Sequence, residues 1–350
     1  MVQHRARSHR VRDIAEQSGL SEATIDRVLH GRAGASARAV RAVEQAVLDL
    51  DRQQTQLRLA ARTLLLDVVI QAPTRFSTAV RSALEEELPA LRPAAVRARF
   101  HLRENADVAA AVEVLDSLGR RGRVCHGVVL KAPDDPAVAA AVGRLTDRGI
   151  PVVTLVTDVR DSARVAYVGL DNAAAGATAA YLVSQVLGDR PGDVLLSLSR
   201  SFFFGERERA EAFTVALGRL APDRRVHTIT DSDGLDATMS ALVSDVLRSE
   251  PEVRAAYSVG GGNRAISAAF VAAGRSPGVF IGHDLDEDNL DLLRSGVLTA
   301  VLHHDLHADM RAGVRQVMRA HRLVPGAPTS VAANVEVVTA YNIPPRIPAH

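Results

Sequence analysis

Between Leu64 and about residue 283 the chain alternates short β-rich runs with helical stretches, and this alternation restricts the fold more than any other feature. Runs at 65–70, 96–102, 127–131, 152–156 and 166–170 read as strands, most of them apolar at nearly every position, with amphipathic stretches near 77–88, 108–121 and 136–147 between them. A strand that is apolar on both faces is covered on both faces, which in a strand–helix–strand series means a parallel sheet between two layers of helix. The pattern resumes with a helix at 173–187 and strands at 193–198, 225–230, 255–260 and 279–283, separated by helices at 206–219, 236–249 and 263–273. That is enough chain for two such sheets in succession. Each opens its ligand site at the carboxyl ends of its strands, so two sheets facing one another share a cleft.

The first sixty residues follow a different grammar. Val11, Ile14 and Ala15 form one helical stripe, Ser18-Gly19 interrupts it, and Leu20, Ile25, Val28 and Leu29 form a second. Two short helices with a tight turn follow, Gly19 supplying positive φ and Ser21 capping the second helix. By spacing alone this is either a helix-turn-helix, with Glu22, Ala23 and Arg27 presented to base edges, or a plain αα-hairpin. A third helix starts at Ser36, with Val40, Val43, Val47 and Leu50 on one face, and residues 51–63 are polar and helix-permissive without an apolar face, which marks a linker. Residues 1–63 hold eleven Arg against seven Asp or Glu, while the whole chain carries only +1. The positive charge therefore sits with the small helices, as on a DNA-reading head attached to a near-neutral body, and residues 1–10 are expected to form a basic arm that touches phosphates.

Several classes are disfavoured. No apolar run reaches the roughly 18 residues of a membrane span, and the first residues lack an apolar leader, so a cytoplasmic location without membrane contact is expected. Cys125 is the only cysteine, expected to be an inert core residue at a strand start. Lys131 is the only lysine. Gly260-Gly261-Gly262 lacks the lysine and hydroxyl spacing of a phosphate loop, and Ser197 and Ser199 lack a nucleophile-elbow context. Neither an enzymatic activity nor a cofactor is expected.

Taken together, these motifs resemble the LacI family of transcription regulators. In the head the matching residues are Asp13-Ile14-Ala15, Ser18-Gly19-Leu20-Ser21, Ala23-Thr24-Ile25 and Arg27-Val28-Leu29. In the body they are Val168-Gly169-Leu170-Asp171-Asn172, Glu208-Arg209-Ala210-Glu211-Ala212-Phe213 and Gly282-His283-Asp284-Leu285. The resemblance implies a small all-α helix-turn-helix head (1–50), a linker or hinge (51–66) and a two-lobed α/β periplasmic-binding-protein-like sensor with two parallel sheets (67–340), followed by a tail (341–350). The first lobe is expected at about 67–171 and 296–322, the second at about 172–295 and 323–340.

The same resemblance implies the site residues. Ser21, Glu22, Ala23, Thr24, Arg27, His30 and Arg32 would meet DNA, and Leu57 or Leu59 would stand in for the family's minor-groove leucine. Asp26 departs from the serine usual in the family. Glu22 and Asp26 admit two readings. Either Glu22 accepts from cytosine while Arg27 donates to guanine, or Glu22 complements the helix dipole while Asp26 pairs with Arg27 or a nearby Arg. Arg75, Phe76, Lys131, Phe203, Arg209, Asn263, Asp284 and His304 would meet a sugar or polyol effector, with Arg209 alternatively in a surface ion pair with Glu206 or Glu208. Asp171 is expected to cap the crossover helix or act as a hinge. His303 and His304, adjacent at a strand end, point opposite ways and so are not expected to chelate a metal. The expectation is a homodimeric, operator-binding regulator, with a repressor relieved by its ligand as the family's usual form. The alternative is a stand-alone cytosolic sugar-binding protein or sugar-handling enzyme with a vestigial head.

Overall fold

The computed structural model describes residues 9–32, 34–60, 63–104, 107–120, 122–200, 202–230 and 232–345, with 51–60 described as backbone only. The chain divides into a small helical unit, up to Thr63, and a large α/β unit.

The helical unit comprises α1 (Val11–Ser18), α2 (Glu22–Leu29) and α3 (Ala37–Ala60). Gly19, at φ 68°, ends α1 in the left-handed conformation that a side chain would strain, and the Ser21 hydroxyl accepts from the Thr24 N–H at 3.3 Å to cap α2. Ser36 caps α3 in the same way, accepting from Ala39. Ile14, Ile25, Val43, Ala46 and Val47 form the buried core, one or two residues from each helix. Ser21, Glu22, Ala23, Arg27, His30 and Arg32 are exposed and Thr24 is half-buried. Asp26 is partnered not by Arg27 but by Arg32 at 2.9 Å and His30 at 2.9 Å. Where a linker was expected from residue 51, the helix of α3 runs unbroken to Ala60. Composition without an apolar stripe withholds a packing face but does not forbid the backbone from continuing a helix already nucleated upstream. The side chains of Leu57 and Leu59 lie outside the described residues.

The α/β unit contains two six-stranded, mostly parallel sheets. The first is built from β1 (Thr63–Gln71), β2 (Ala95–Arg103), β3 (Gly127–Lys131), β4 (Val152–Leu155), β5 (Ala166–Leu170) and β11 (Val331–Ala333), in the order β11-β5-β4-β3-β1-β2. The second takes β6 (Asp193–Ser197), β7 (Val226–Ile229), β8 (Val253–Ser258), β9 (Val279–His283), β10 (Ala300–His303) and β12 (Glu336–Val338), in the order β12-β10-β9-β8-β6-β7. Central strands are buried at every position, as in β3, β4, β6 and β9, so their apolar runs follow from having helices on both faces. The connecting helices are α4 (Thr74–Glu87), α5 (Val108–Ser117), α6 (Pro136–Asp147), α7 (Asn172–Leu187), α8 (Phe204–Leu220), α9 (Asp236–Ser249), α10 (Asn263–Ala272), α11 (Glu287–Arg294) and α12 (Leu306–Ala320).

Three crossings join the lobes: β5 to α7, β10 to α12, and β11 to β12. Asp171 caps α7, its carboxylate accepting from Ala174 at 2.9 Å, and Asp305 caps α12 by accepting from His307 and Ala308. The crossings correct the expected lobe boundaries. Residues 296–322 are not all in the first lobe, because β10 pairs with β9 in the second sheet and only α12 returns to pack on β3, β4 and β5. Nor are residues 323–340 all in the second, because β11 pairs with β5. Membership of a sheet is decided by the strand alongside, which periodicity within a segment does not encode.

Candidate functional site

The carboxyl ends of both sheets line one cleft that opens to solvent. The first lobe contributes Arg75 and Phe76 from the start of α4, Lys131 from the end of β3, and Val156 after β4. The second contributes Phe203, Glu206 and Arg209 around the start of α8, Gly260 and Gly261 after β8, and His283, Asp284 and Asp286 after β9.

Arg75 spans the cleft. Its guanidinium meets the Asp286 carboxylate at 3.0 Å and donates to the backbone carbonyls of Gly234 (3.2 Å) and Gly260 (3.4 Å). Gly261 stands at φ 99°, which strains any side chain, and a Cβ there would displace the Arg75 guanidinium, whose terminal nitrogen lies 1.7 Å from its place. A second set of contacts between the lobes forms at the rim, where Asp134 accepts from Arg207 at 2.9 Å and its N–H donates to the Phe202 carbonyl.

Arg209 is only 4 % exposed and its Nε donates to Asn172 Oδ1 at 2.8 Å. It is not a surface ion-pair residue. Gly176 makes this placement possible: a Cβ there would stand 2.1 Å from the Arg209 carbonyl oxygen, so only glycine lets α7 and α8 approach so closely. Lys131 is 8 % exposed; its ammonium lies 3.9 Å from the Phe203 ring centroid and 5.5 Å from that of Phe76. Burial, with the Arg209 charge, pushes Lys131 down to about 8 although Glu206 and Asp284 act the other way.

Asp284 has φ 64°, and Val156 φ 63°, a conformation that costs a β-branched residue most. Both follow the third strand of their sheet. Behind Asp284 lies His304, its Nε2 3.6 Å from the carboxylate and its Nδ1 2.5 Å from Asp309. Burial opposes a charge on His304, but the two carboxylates outweigh it and push the imidazole up to about 9. Burial likewise works to raise Asp284, yet His304 and Arg209 hold its carboxyl well below the usual range. His283, whose Nε2 is 2.8 Å from the Tyr257 hydroxyl, is pushed well below its ordinary value by burial and by Arg209, and His303 falls to about 4 by burial and by the His304 charge. Asp286 moves up instead, to about 6, through burial reinforced by Asp284 and Asp288.

Six of the eight expected ligand residues stand on the cleft wall: Arg75, Phe76, Lys131, Phe203, Arg209 and Asp284. Asn263 and His304 do not; both are buried behind it. Asn263 Nδ2 donates to Asn289 Oδ1 at 2.6 Å, and Asn289 in turn donates to the His283 and Asp284 carbonyls at 2.8 Å each. Asn263 turns inward because Gly282, which has no Cβ, leaves room for its amide. His303 faces the cleft and His304 the core, as adjacent residues leaving a strand must. Cys125 is buried just before β3, its thiol pushed up to about 12 by burial. Gly261 admits the Arg75 side chain, and Gly260 leaves room for the backbone of Ser199.

Glu206, Asp286 and Thr157 also belong to the wall and are not among the expected ligand residues. Glu206 accepts from the Ser199 hydroxyl at 2.6 Å and the Ser199 N–H at 2.8 Å, holding the loop after β6. Asp286 caps α11, accepting from Asn289, and the spacing Asp286-x-x-Asn289 before Leu290 is a cap signal that could have located it.

No curated protein sequence matches the chain significantly. Among solved structures it is similar to a glucose-galactose binding protein from Geobacillus stearothermophilus, at 17% identity and TM-score 0.72, covering 81% of this chain and 99% of that one. The fructose binding periplasmic domain of a hybrid two component system aligns at 19% identity and TM-score 0.70, over 80% of this chain and 91% of that one. A putative LacI transcriptional regulator from Bacteroides fragilis aligns at 15% identity and TM-score 0.66, over 80% and 98%. At such identities the likeness is one of fold. A model of the periplasmic binding protein domain matches residues 68–322, which takes in nearly all of both lobes, and the chain belongs to that family.

Proposed function

We propose that this chain is a cytoplasmic transcription regulator whose affinity for an operator is set by a sugar-like small molecule held between its two lobes. The observation that carries the reading is the pairing, in one polypeptide, of a Ser21-capped exposed helix on a basic three-helix unit with a two-lobed cleft walled by convergent charged groups. The ligand half is supported by solved structures of the same fold, several of which are sugar-binding proteins, one with bound D-fucose. The DNA half is supported by the likeness of 11–29 to the LacI head and by the putative regulator among the structural neighbours.

In this reading α2 enters the major groove with Glu22, Ala23 and Arg27 toward base edges, and Ser21 and Thr24 toward phosphates. Asp26 does not repel the backbone unopposed, because the Arg32 guanidinium is paired with its carboxylate at 2.9 Å. Two such units on a homodimer read the halves of a palindromic operator. Ligand drives closure by binding the closed arrangement more tightly, and that difference is the limit of its effect on operator affinity.

The test begins with footprinting of the full chain on genomic DNA, followed by gel shifts on the fragments found. Arg27→Ala is expected to weaken binding by about 1–3 kcal/mol and relax selectivity at one base pair. Arg209→Ala is expected to abolish the response to ligand while DNA binding persists. A chain that selects no DNA, or an Arg27→Ala protein that binds as the parent does, removes the regulatory reading.

A further inference from the structure

The cleft wall has an imbalance of hydrogen-bonding capacity that identifies a class of ligand. Two of its three carboxylates are already occupied, and the third, Asp284, has only an ion-pair contact, with His304 at 3.6 Å. Glu206 accepts from the Ser199 hydroxyl and from the N–H groups of Ser199 and Arg200; Asp286 accepts from Arg75 and Asn289; Asp284 faces His304. Arg75 is occupied as well, by one carboxylate and two carbonyls.

Two cations are not. The Lys131 ammonium has no oxygen acceptor among the described residues, only the faces of Phe203 and Phe76. Arg209 uses its Nε on Asn172, and its terminal nitrogens have no acceptor among the described residues. A buried ammonium lacking an acceptor is unfavourable, and a second cation close enough to lower it further adds to the cost. Among 42 lysines and arginines this is the single lysine, and it is buried in the cleft.

We propose that the ligand is a sugar acid whose carboxylate seats on Lys131 and Arg209 while its hydroxyls face the remaining wall. The proposal rests on the sugar-sensor reading above and narrows it. A carboxylate supplies acceptors to both unfilled cations and brings a single negative charge. A phosphate would bring nearly two into a wall that already holds Glu206, Asp284 and Asp286. The Phe203 and Phe76 rings exclude water from the Lys131 side, which strengthens a charge-assisted hydrogen bond formed there.

Isothermal titration calorimetry of the full chain tests this with matched probes: D-glucose, D-glucuronate and D-glucose 6-phosphate, and the corresponding D-galactose set. The acid is expected to bind at least tenfold more tightly than its neutral partner. At pH 8, where Lys131 is partly deprotonated, binding of the acid is expected to take up a fraction of a proton, read from titrations in buffers of different ionisation enthalpy. Lys131→Gln brings the acid-to-neutral ratio close to one, and Lys131→Arg restores part of it. Should Lys131→Gln fail to fold, the ratio and proton uptake of the unaltered protein still decide the matter. Neutral sugars binding as tightly as the acids would overturn the proposal and leave the sugar sensor standing. Tighter binding of the 6-phosphates overturns the carboxylate assignment. Failure of every probe to bind counts against both.

Discussion

The two lobes repeat one another in their frameworks and diverge at the cleft. In the first lobe the buried Asp67 on β1 is held by Arg99 and His101 of β2, with contacts of 2.6 to 2.9 Å; in the second, Asp193 on β6 is held by Arg225, just before β7, at 2.8 Å and by His227 on β7 at 3.0 Å. The same Asp-and-Arg-x-His device thus occupies equivalent strands. The helices that enter each lobe after a crossing are both capped by aspartate, Asp171 and Asp305, and a residue with positive φ follows the third strand of each sheet. At that last position the likeness ends, with Val156 in one lobe and Asp284 in the other. The end of β3 supplies Lys131, and the loop after the equivalent strand β8 supplies Gly260 and Gly261. Features common to both lobes specify the sheet and its edges; those peculiar to one lobe specify the ligand.

If that division is correct, acids common to both lobes stabilise the fold and acids peculiar to one do not. Asp67 gives the largest effect. It is wholly buried, and its removal takes the carboxylate from His101 and leaves Arg99 only the Val124 carbonyl, so Asp67→Ala is expected to cost about 3 kcal/mol. Asp193→Ala is expected to cost about 1 kcal/mol, since its partner Arg225 is mostly exposed and keeps its hydration. Urea midpoints of the two variants read both losses, and either variant proving as stable as the parent would break the division. Burial works to raise Asp67, but His101 and Arg99 outweigh it and hold the carboxyl at about 2. Its folded value is thus below the unfolded one. The stability it contributes is present above about pH 4 and is lost as pH falls toward 2, and Asp67→Ala should flatten that part of the acid unfolding curve.

Asp286 should behave oppositely. Its burial, with Asp284 and Asp288 nearby, raises it to about 6, above the unfolded value of 3.8, in spite of the Asn289 N–H and Arg75. The folded chain therefore holds this proton more tightly, and stability falls as pH rises from about 4 to about 6 and does not recover above. Asp286→Asn keeps the cap on α11 and removes the slope, with a gain on the order of 1 kcal/mol at pH 7, and it weakens the Arg75 contact across the cleft. A thermal melt series from pH 4 to 8 reads the slope. Loss of stability at pH 7 in Asp286→Asn would place this acid with the framework after all.

The same division explains what the sequence reveals. Framework elements are local: β3, α6, β5, α9 and β9 fall on the expected residues, because apolar runs bounded by Gly, Pro and Asp carry their own period and ends. Lys131 and Arg209 are legible as polar residues at strand and helix ends. The lobe to which β10 belongs is not, because its four residues pair with β9 and β12, and nothing within them selects a neighbour. Asn263 and His304 carry suitable chemistry for a ligand, yet which side of a wall they stand on depends on Gly282 and Asp309, distant in sequence or hidden by packing. Glu206 escapes notice because its role is to tie back a loop seven residues earlier.

The smallest expected effect bears on the crossover helices, whose common aspartate caps do not imply common packing. In α7, Gly176 is indispensable because the Arg209 carbonyl occupies the place of its Cβ. Gly313 of α12 has no such neighbour: a Cβ would rest 3.8 Å from Val129 and 4.0 Å from Val153, ordinary van der Waals distances. Alanine there removes the conformational freedom that glycine adds to the unfolded chain, and Gly313→Ala is expected to stabilise the protein by about 0.5–1 kcal/mol. The shift is small enough to require a denaturant titration with the m-value held in common. A loss in its place would mean that α12 lies as tightly on the first sheet as α7 lies on α8, and the tight approach would then belong to the shared framework rather than to the placement of Arg209.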